Sequence, residues 1–126
     1  MRFMTIVKTR ETGKQPPPAL IEKIMKLGEE ATGEGVMVTM GGLAPTALGA
    51  RARLANGKIT FTDGPFTEAK EVFGGFAIYD VPSKKVALEW TRRFLEAHIG
   101  LWDQELEVEV RQMMDGPPGP PPDARR

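Results

Sequence analysis

The feature that most constrains the fold is a mismatch between the helices and the strands that the sequence predicts. Residues 17–32 and 83–99 each carry one apolar stripe at helical spacing. Residues 2–8 and 73–81 instead place apolar side chains on both parities, which is typical of strands buried on both faces. Because two such helices cover only one face of a sheet, the other face must be covered by something else.

The other segments complete an alternating order of strands and helices. Residues 36–40 read as a strand, and residues 105–111 alternate strictly between apolar and charged side chains. The apolar set is Leu106, Val108 and Val110, and the charged set is Glu105, Glu107, Glu109 and Arg111. The order strand, helix, strand, hairpin, strand, helix, strand predicts an α+β, ferredoxin-like fold with a four-stranded antiparallel sheet and both helices on one face. The uncovered face predicts a homodimer in which two sheets meet.

A β-hairpin is predicted around Asn56-Gly57, which separates two alternating runs. A two-residue type I′ turn needs positive φ at both central positions, and Asn-Gly satisfies this. The turn pairs Ala55 with Lys58, and one face then carries Ala52, Leu54, Ile59 and Phe61, whereas the other carries Arg51, Arg53, Thr60 and Thr62. One further pair would place Asp63 on the apolar face.

Composition excludes several classes of site. The 126 residues include no cysteine and one histidine, so thiol nucleophiles, disulfides, cysteine zinc sites and multi-histidine sites within one chain are excluded. Seventeen basic and seventeen acidic residues cancel, which gives no sign of a nucleic-acid partner. No apolar run approaches the roughly 18–20 residues of a membrane span, and residues 1–10 lack a signal-peptide core. We therefore expect a cytoplasmic protein that uses no cofactor, metal, nucleic acid or membrane.

The last residues differ in composition from the rest. Residues 115–126 contain five of the eleven prolines and hardly any apolar side chain. This composition is typical of a disordered, polyproline-like tail. We expect the folded domain to span residues 1–114, and recognition of the tail by a proline-binding module stays open.

A family resemblance enters at Asp63-Gly-Pro-Phe66-Thr-Glu-Ala-Lys-Glu71, which is followed by Phe73-Gly-Gly-Phe76 and Tyr79-Asp-Val-Pro82. Together with Glu89-Trp90 and Glu107–Gln112, these motifs resemble the DGPF-domain branch of the YCII-related proteins over about residues 1–113. The resemblance implies a dimeric α/β barrel of ferredoxin-like subunits with a cleft near the DGPF turn. It implies no reaction for most of the branch. Enzymatic relatives use a His–Asp pair with the histidine on the first helix, which has no histidine here, so only Asp63 is carried over as the cleft carboxylate.

Asp63 and His98 form the candidate catalytic pair. Asp63 either accepts N–H groups of its own turn or acts as a general base in a cleft. His98 lies on the apolar stripe of the second helix and is the one side chain that titrates near neutrality. It either satisfies the helix end or serves as the acid/base partner of Asp63, in the same subunit or across the dimer. In the second case the two side chains approach within hydrogen-bond distance, directly or through one water.

Candidate ligand-binding residues surround this carboxylate, and they are Asp63, Gly64, Pro65, Phe66, Lys70, Arg51 and Arg53. Lys70 would neutralise Asp63 or hold an anion, and the two arginines would grip a carboxylate or phosphate. Ordinary solvated charge is the alternative for all three.

Three functions stay open at this point. The first, which we favour, is a small homodimeric protein that binds a small organic ligand beside the Asp63–Phe66 turn. The second is a cofactor-independent isomerase or lyase that uses Asp63 with His98. The third is a regulatory or interaction module.

Overall fold

The computed structural model describes residues 1–114, so the predicted proline-rich tail lies outside the described residues. Within the described part, the chain follows the predicted order of elements: β1 (Arg2–Thr9), α1 (Pro18–Gly33), β2 (Met37–Gly42), β3 (Ala50–Ala55), β4 (Lys58–Asp63), β5 (Val72–Asp80), α2 (Lys84–Glu96) and β6 (Leu106–Gln112). A 3-10 turn over Thr46–Leu48 precedes β3. The main sheet has the order β2-β5-β1-β6 with every neighbour antiparallel, and β3 and β4 form a separate two-stranded sheet. The predicted α+β, ferredoxin-like fold is confirmed.

Both helices pack on the same face of the sheet. Proline occupies the first turn of α1, where a missing N–H removes no helical hydrogen bond. The Ser83 side chain caps α2 by accepting a hydrogen bond of 3.3 Å from the Val86 N–H. The core between sheet and helices consists of Phe3, Leu27, Ala31, Tyr79, Val81, Ala87 and Trp90. Neither described helix is long and apolar enough to cross a lipid bilayer.

The opposite face of the sheet has an apolar centre and a charged border. Met4 pairs with Ile78, and Ile6 pairs with Phe76, and all four side chains are partly exposed. At the border, the Lys8 ammonium lies 3.6 Å from the Glu107 carboxylate and 3.3 Å from that of Glu109. We call this surface the open face, because within residues 1–114 both helices pack on the other side.

The β3–β4 hairpin has the predicted turn and register. Asn56 and Gly57 have φ values of 52° and 74°, and the ladder extends to the pair Ala50 and Asp63. Its apolar face is open to solvent, with Leu54 74%, Ile59 67% and Phe61 76% exposed. We call residues 50–63 the arm, since they make no extensive contact with another described helix or strand.

Candidate functional site

A cavity of about 490 Å³ lies between the sheet and the helices. Its lining is mostly apolar and comes from β1, β2, β5 and β6 on one side and from α1 and α2 on the other. The main apolar lining residues are Val7, Leu20, Ile24, Leu27, Met37, Met40, Ala77, Tyr79, Phe94, Leu106 and Val108. A volume of several hundred Å³ with apolar walls and few polar groups is typical of sites for small organic ligands.

Residues 10–16, which connect β1 to α1, form one wall of the cavity, and we call them the strap. The Glu11 carboxylate accepts a hydrogen bond of 2.8 Å from the Thr46 N–H and a second one from the Thr46 hydroxyl. These two bonds hold the pKa of Glu11 below its usual range. Lys14 forms an ion pair with Asp103, and the Gln104 side chain donates a hydrogen bond of 2.8 Å to the Thr12 hydroxyl. Polar contacts therefore tie the strap to the segment that follows β2 and to the segment that precedes β6.

His98 is a polar group of the cavity wall. Its Nδ1 lies 2.8 Å from the Phe94 carbonyl oxygen, and the two rings are 4.8 Å apart between centroids. Because a carbonyl only accepts, this contact assigns the proton to Nδ1 and leaves the Nε2 lone pair as an acceptor. Burial lowers the pKa of His98, and the bond to the Phe94 carbonyl offsets this only in part. At neutral pH the cavity thus contains an uncharged imidazole.

The lowered pKa of His98 predicts a pH-dependent stability. The unfolded chain binds a proton at this residue near pH 6.5, whereas the folded chain binds it only at lower pH. The unfolded state therefore holds more protons below that point, and the free energy of unfolding falls as the pH drops from about 7.5 to 5.

Urea denaturation at several pH values tests this expectation. The wild type loses stability on acidification through this range, and His98→Gln removes most of the dependence. The carboxylates with lowered pKa, such as Glu11 and Asp103, titrate at lower pH and leave this window unaffected. A His98→Gln profile as steep as that of the wild type would contradict the assignment.

The Asp63–Phe66 turn lies beside the cavity rather than in its lining. Asp63 is exposed at the end of β4. The Gly64 N–H donates a hydrogen bond of 2.9 Å to the Gly49 carbonyl, and the Phe66 N–H donates one of 3.1 Å to the Thr46 hydroxyl. Because Thr46 also binds Glu11, the turn is connected to the strap through one side chain.

A second groove, of about 550 Å³, runs beside this turn and contains two of the predicted ligand-binding residues. The Arg51 guanidinium carbon lies 3.9 Å from the centre of the Phe66 ring, and Arg51 also forms an ion pair with Glu68. The groove and the cavity share a common wall that consists of Leu43, Ala44, Pro45, Val72 and Phe73. The structure thus joins the predicted turn to the cavity.

The remaining predicted residues are more dispersed. Arg53, Pro65 and Lys70 are exposed and Gly64 is partly exposed, and none of the four lines the cavity or the groove. Within the described residues, no hydrogen bond joins Asp63 to His98. Their approach through one water, or across a dimer, stays a prediction.

Sequence reasoning missed Trp102 and the strap. Trp102 lines the cavity, its Nε1 is buried without an acceptor among residues 1–114, and the Lys14 ammonium lies 5.6 Å from its ring centre. The one sequence signal for Trp102 is that an aromatic residue stands two positions after Gly100, which was predicted to end the second helix. The strap has no periodic pattern, so the sequence contains no signal that places Glu11 near Thr46.

The family comparison agrees with the motifs described above. The model of the YCII-related domain matches residues 1–113, which include the sheet, both helices and the arm. The chain belongs to the YCII-related family. None of the curated proteins compared with this YCII-related chain matches it. Membership of the DGPF branch stays a prediction. Among the described residues, no group of histidine and carboxylate side chains is placed to hold a metal ion.

Proposed function

We propose that this YCII-related protein is a homodimer that binds a small organic molecule in the cavity between sheet and helices. The observation that carries the proposal is the cavity itself, with apolar walls and an uncharged His98. Apolar walls favour a ligand with an apolar body, and the Nε2 lone pair favours a polar group that donates a hydrogen bond.

The Asp63–Phe66 turn has a supporting role in this proposal. It borders the groove that shares a wall with the cavity, and its Phe66 N–H holds Thr46, which in turn holds the strap. The motif therefore acts on the ligand by positioning the wall of the site. A ligand that extends from the cavity into the groove would meet Arg51 and Phe66 directly.

The homodimer is supported by the open face. Its apolar centre of Met4, Ile6, Phe76 and Ile78 faces away from both helices. A two-fold dimer in which two open faces meet removes these side chains from water. Cytoplasmic localisation belongs to the same proposal.

Methionine NMR tests ligand binding directly. Met37 and Met40 line the cavity, whereas Met25 and Met114 are exposed outside it. The methionine methyl groups of the protein are labelled with 13C, and toluene is then added stepwise. Toluene is expected to shift the Met37 and Met40 signals and to leave the Met25 and Met114 signals in place.

A pair of matched variants distinguishes binding in the cavity from nonspecific binding. Val108→Phe adds a ring inside the cavity and is expected to weaken toluene binding at least fivefold. Val38→Phe places the same ring at a position that is 43% exposed and outside the cavity lining, and is expected to bind like the wild type. Equal shifts at all four methionines, or no shift at Met37 and Met40, would contradict the proposal.

A second candidate function is cofactor-independent acid/base catalysis, which the free Nε2 lone pair of His98 favours. A neutral imidazole in an apolar cavity can take a proton from a bound substrate. Asp63 would have to approach it through one water or from the partner subunit. Turnover of a panel of lactones and halogenated phenolics by wild type, His98→Gln and Asp63→Asn tests this function. Equal rates for wild type and Asp63→Asn would leave that carboxylate no catalytic role.

A further inference from the structure

The apolar face of the arm has no partner among the described residues. Leu54, Ile59 and Phe61 on its apolar face are each at least two-thirds exposed, and Leu48 at its base is 80% exposed. A two-stranded hairpin of this size is marginally stable in water unless it packs against something. The inference drawn from it rests on the proposed homodimer.

The area of the open face alone is small for a stable dimer. Four strands of about seven residues cover roughly 400 Å² per protomer, which buries about 800–900 Å² in total. Stable interfaces bury about 1,200–2,000 Å². One face of each arm, about 20 Å by 10 Å, would bury roughly 400 Å² when it covers an equal area of the partner, so the two arms would add roughly 800 Å². The two arms together bring the interface into the range of stable dimers.

The strand order determines where the arm would lie. β2 and β6 are the two edges of the main sheet, and they run antiparallel to each other. When two open faces meet about a two-fold axis parallel to the strands, the strand order reverses, so β2 of one protomer lies beside β6 of its partner. Strand direction is preserved, so the two edges meet in antiparallel orientation. This axis places the free edge of each sheet next to a free edge of its partner.

The register also gives the height along the strand direction, here called the level, at which the arm leaves the sheet. Gly42, the last residue of β2, pairs with Gly75, Gly75 pairs with Val7, and Val7 pairs with Val108. The end of β2 is therefore level with the first residues of β6. Rotation about an axis parallel to the strands preserves this level, so the arm leaves its own sheet beside the start of the partner's β6.

The charges on these two segments are complementary. Residues 50–62 contain Arg51, Arg53 and Lys58 and no acidic residue, whereas β6 and the position before it contain Glu105, Glu107 and Glu109. Lys8 binds Glu107 and Glu109, and Arg51 binds Glu68. Neither Arg53 nor Glu105 forms an ion pair among residues 1–114.

We propose that the arm is an intersubunit clasp that lies against the start of the partner's β6. Arg53 lies on the face of the arm opposite the apolar one, and its long side chain reaches around the edge of β3 to pair with Glu105 of the partner subunit. The apolar face of the arm covers exposed apolar surface in the turn before that strand, where Ile99 is 75% exposed. Each cavity is then bordered by an element of the other subunit, since Leu106 and Val108 line the cavity beside the clasped edge.

Charge reversal tests the clasp through the dissociation constant of the dimer, measured by sedimentation velocity. Arg53→Glu and Glu105→Arg are each expected to raise that constant at least tenfold, because the two-fold axis repeats each contact. The double variant restores the pair with reversed charges and is expected to return within about threefold of wild type. Glu22→Arg, on the exposed side of α1, is the matched control and is expected to have no effect.

The outcomes distinguish a failure of the proposed clasp from a failure of the proposed homodimer. A dimeric wild type whose dissociation constant is unchanged by Arg53→Glu overturns the clasp and leaves the dimer intact. Weakening in both single variants without recovery in the double variant overturns the Arg53–Glu105 pairing. A monomeric wild type overturns the proposed homodimer itself. Circular dichroism melting curves confirm that each variant is folded.

Discussion

Replacing Gly64 with alanine is expected to lower the free energy of unfolding by about 3 kcal/mol, near the upper end of the usual cost of overpacking. A Cβ atom at this position would lie 1.7 Å from the carbonyl oxygen of Thr46 and 2.6 Å from its carbonyl carbon. Both atoms belong to the backbone, so a side-chain rotation cannot relieve the clash. The turn or the 3-10 segment must move, which also disturbs the hydrogen bonds that connect Thr46 to Phe66 and Glu11.

Gly49→Ala is the matched control for this substitution. A Cβ at Gly49 would lie 3.5 Å from the same Thr46 oxygen, which is an ordinary van der Waals contact. We expect this variant to lose less than about 1 kcal/mol, as is usual for substitutions without a clash. Urea denaturation of both variants measures the difference, and a similar loss in the two would contradict the role of close approach at Gly64.

Trp90→Ala is expected to cost about 3–5 kcal/mol of stability, the range for loss of a large aromatic core residue. Trp90 is 6% exposed, and its ring is 6.0 Å from that of Tyr79 between centroids. The Arg93 guanidinium also lies over the Trp90 ring, 4.7 Å from its centre. Trp90 therefore fixes α2 against the sheet, and α2 leads directly to His98.

Leu88→Ala serves as its control on the same helix. Leu88 is 47% exposed, so its truncation creates no closed cavity and is expected to cost less than about 1 kcal/mol. Thermal and urea unfolding of the two variants compare the sites. A Trp90→Ala loss no larger than that of Leu88→Ala would show that the α2 packing described above is wrong.

Short sequence patterns predict the hairpin, the helices and the alternating strand of this fold, because each of these depends on residues that are close together in the chain. The register of the arm follows from Asn56-Gly57, because a type I′ turn aligns the two strands by itself. The helices follow from their apolar stripes, and the alternation in β6 predicts which side chains face the core. The order of these elements in the chain then limits the topology to the observed sheet.

The candidate site instead depends on contacts between loops, and the sequences of loops have no repeating pattern of apolar and polar residues. Glu11 and Thr46 are 35 residues apart, and neither position belongs to a regular pattern. The prediction placed ligand residues around Asp63 because the motif is contiguous in sequence. In the folded chain the motif binds the Gly49 carbonyl through the Gly64 N–H and the Thr46 hydroxyl through the Phe66 N–H, while the cavity lining comes from both helices, four strands and the strap.

His98 was identified from its position on an apolar stripe, and the structure places it in the cavity wall. Its state was not predictable from the sequence, because the tautomer depends on the Phe94 carbonyl and the lowered pKa depends on burial. The sequence therefore indicates which residue can titrate near neutral pH, whereas packing decides the pH at which it titrates.

The open face is the feature on which the account depends, and the mass of the purified wild-type chain tests it most directly. Sedimentation equilibrium at low micromolar concentration is expected to give twice the chain mass of 13.9 kDa. Ile6→Glu, which places a charge at the centre of that face, is expected to give the single-chain mass. A wild type that sediments as a folded, soluble monomer, with Ile6 and Phe76 left in water, would contradict the account.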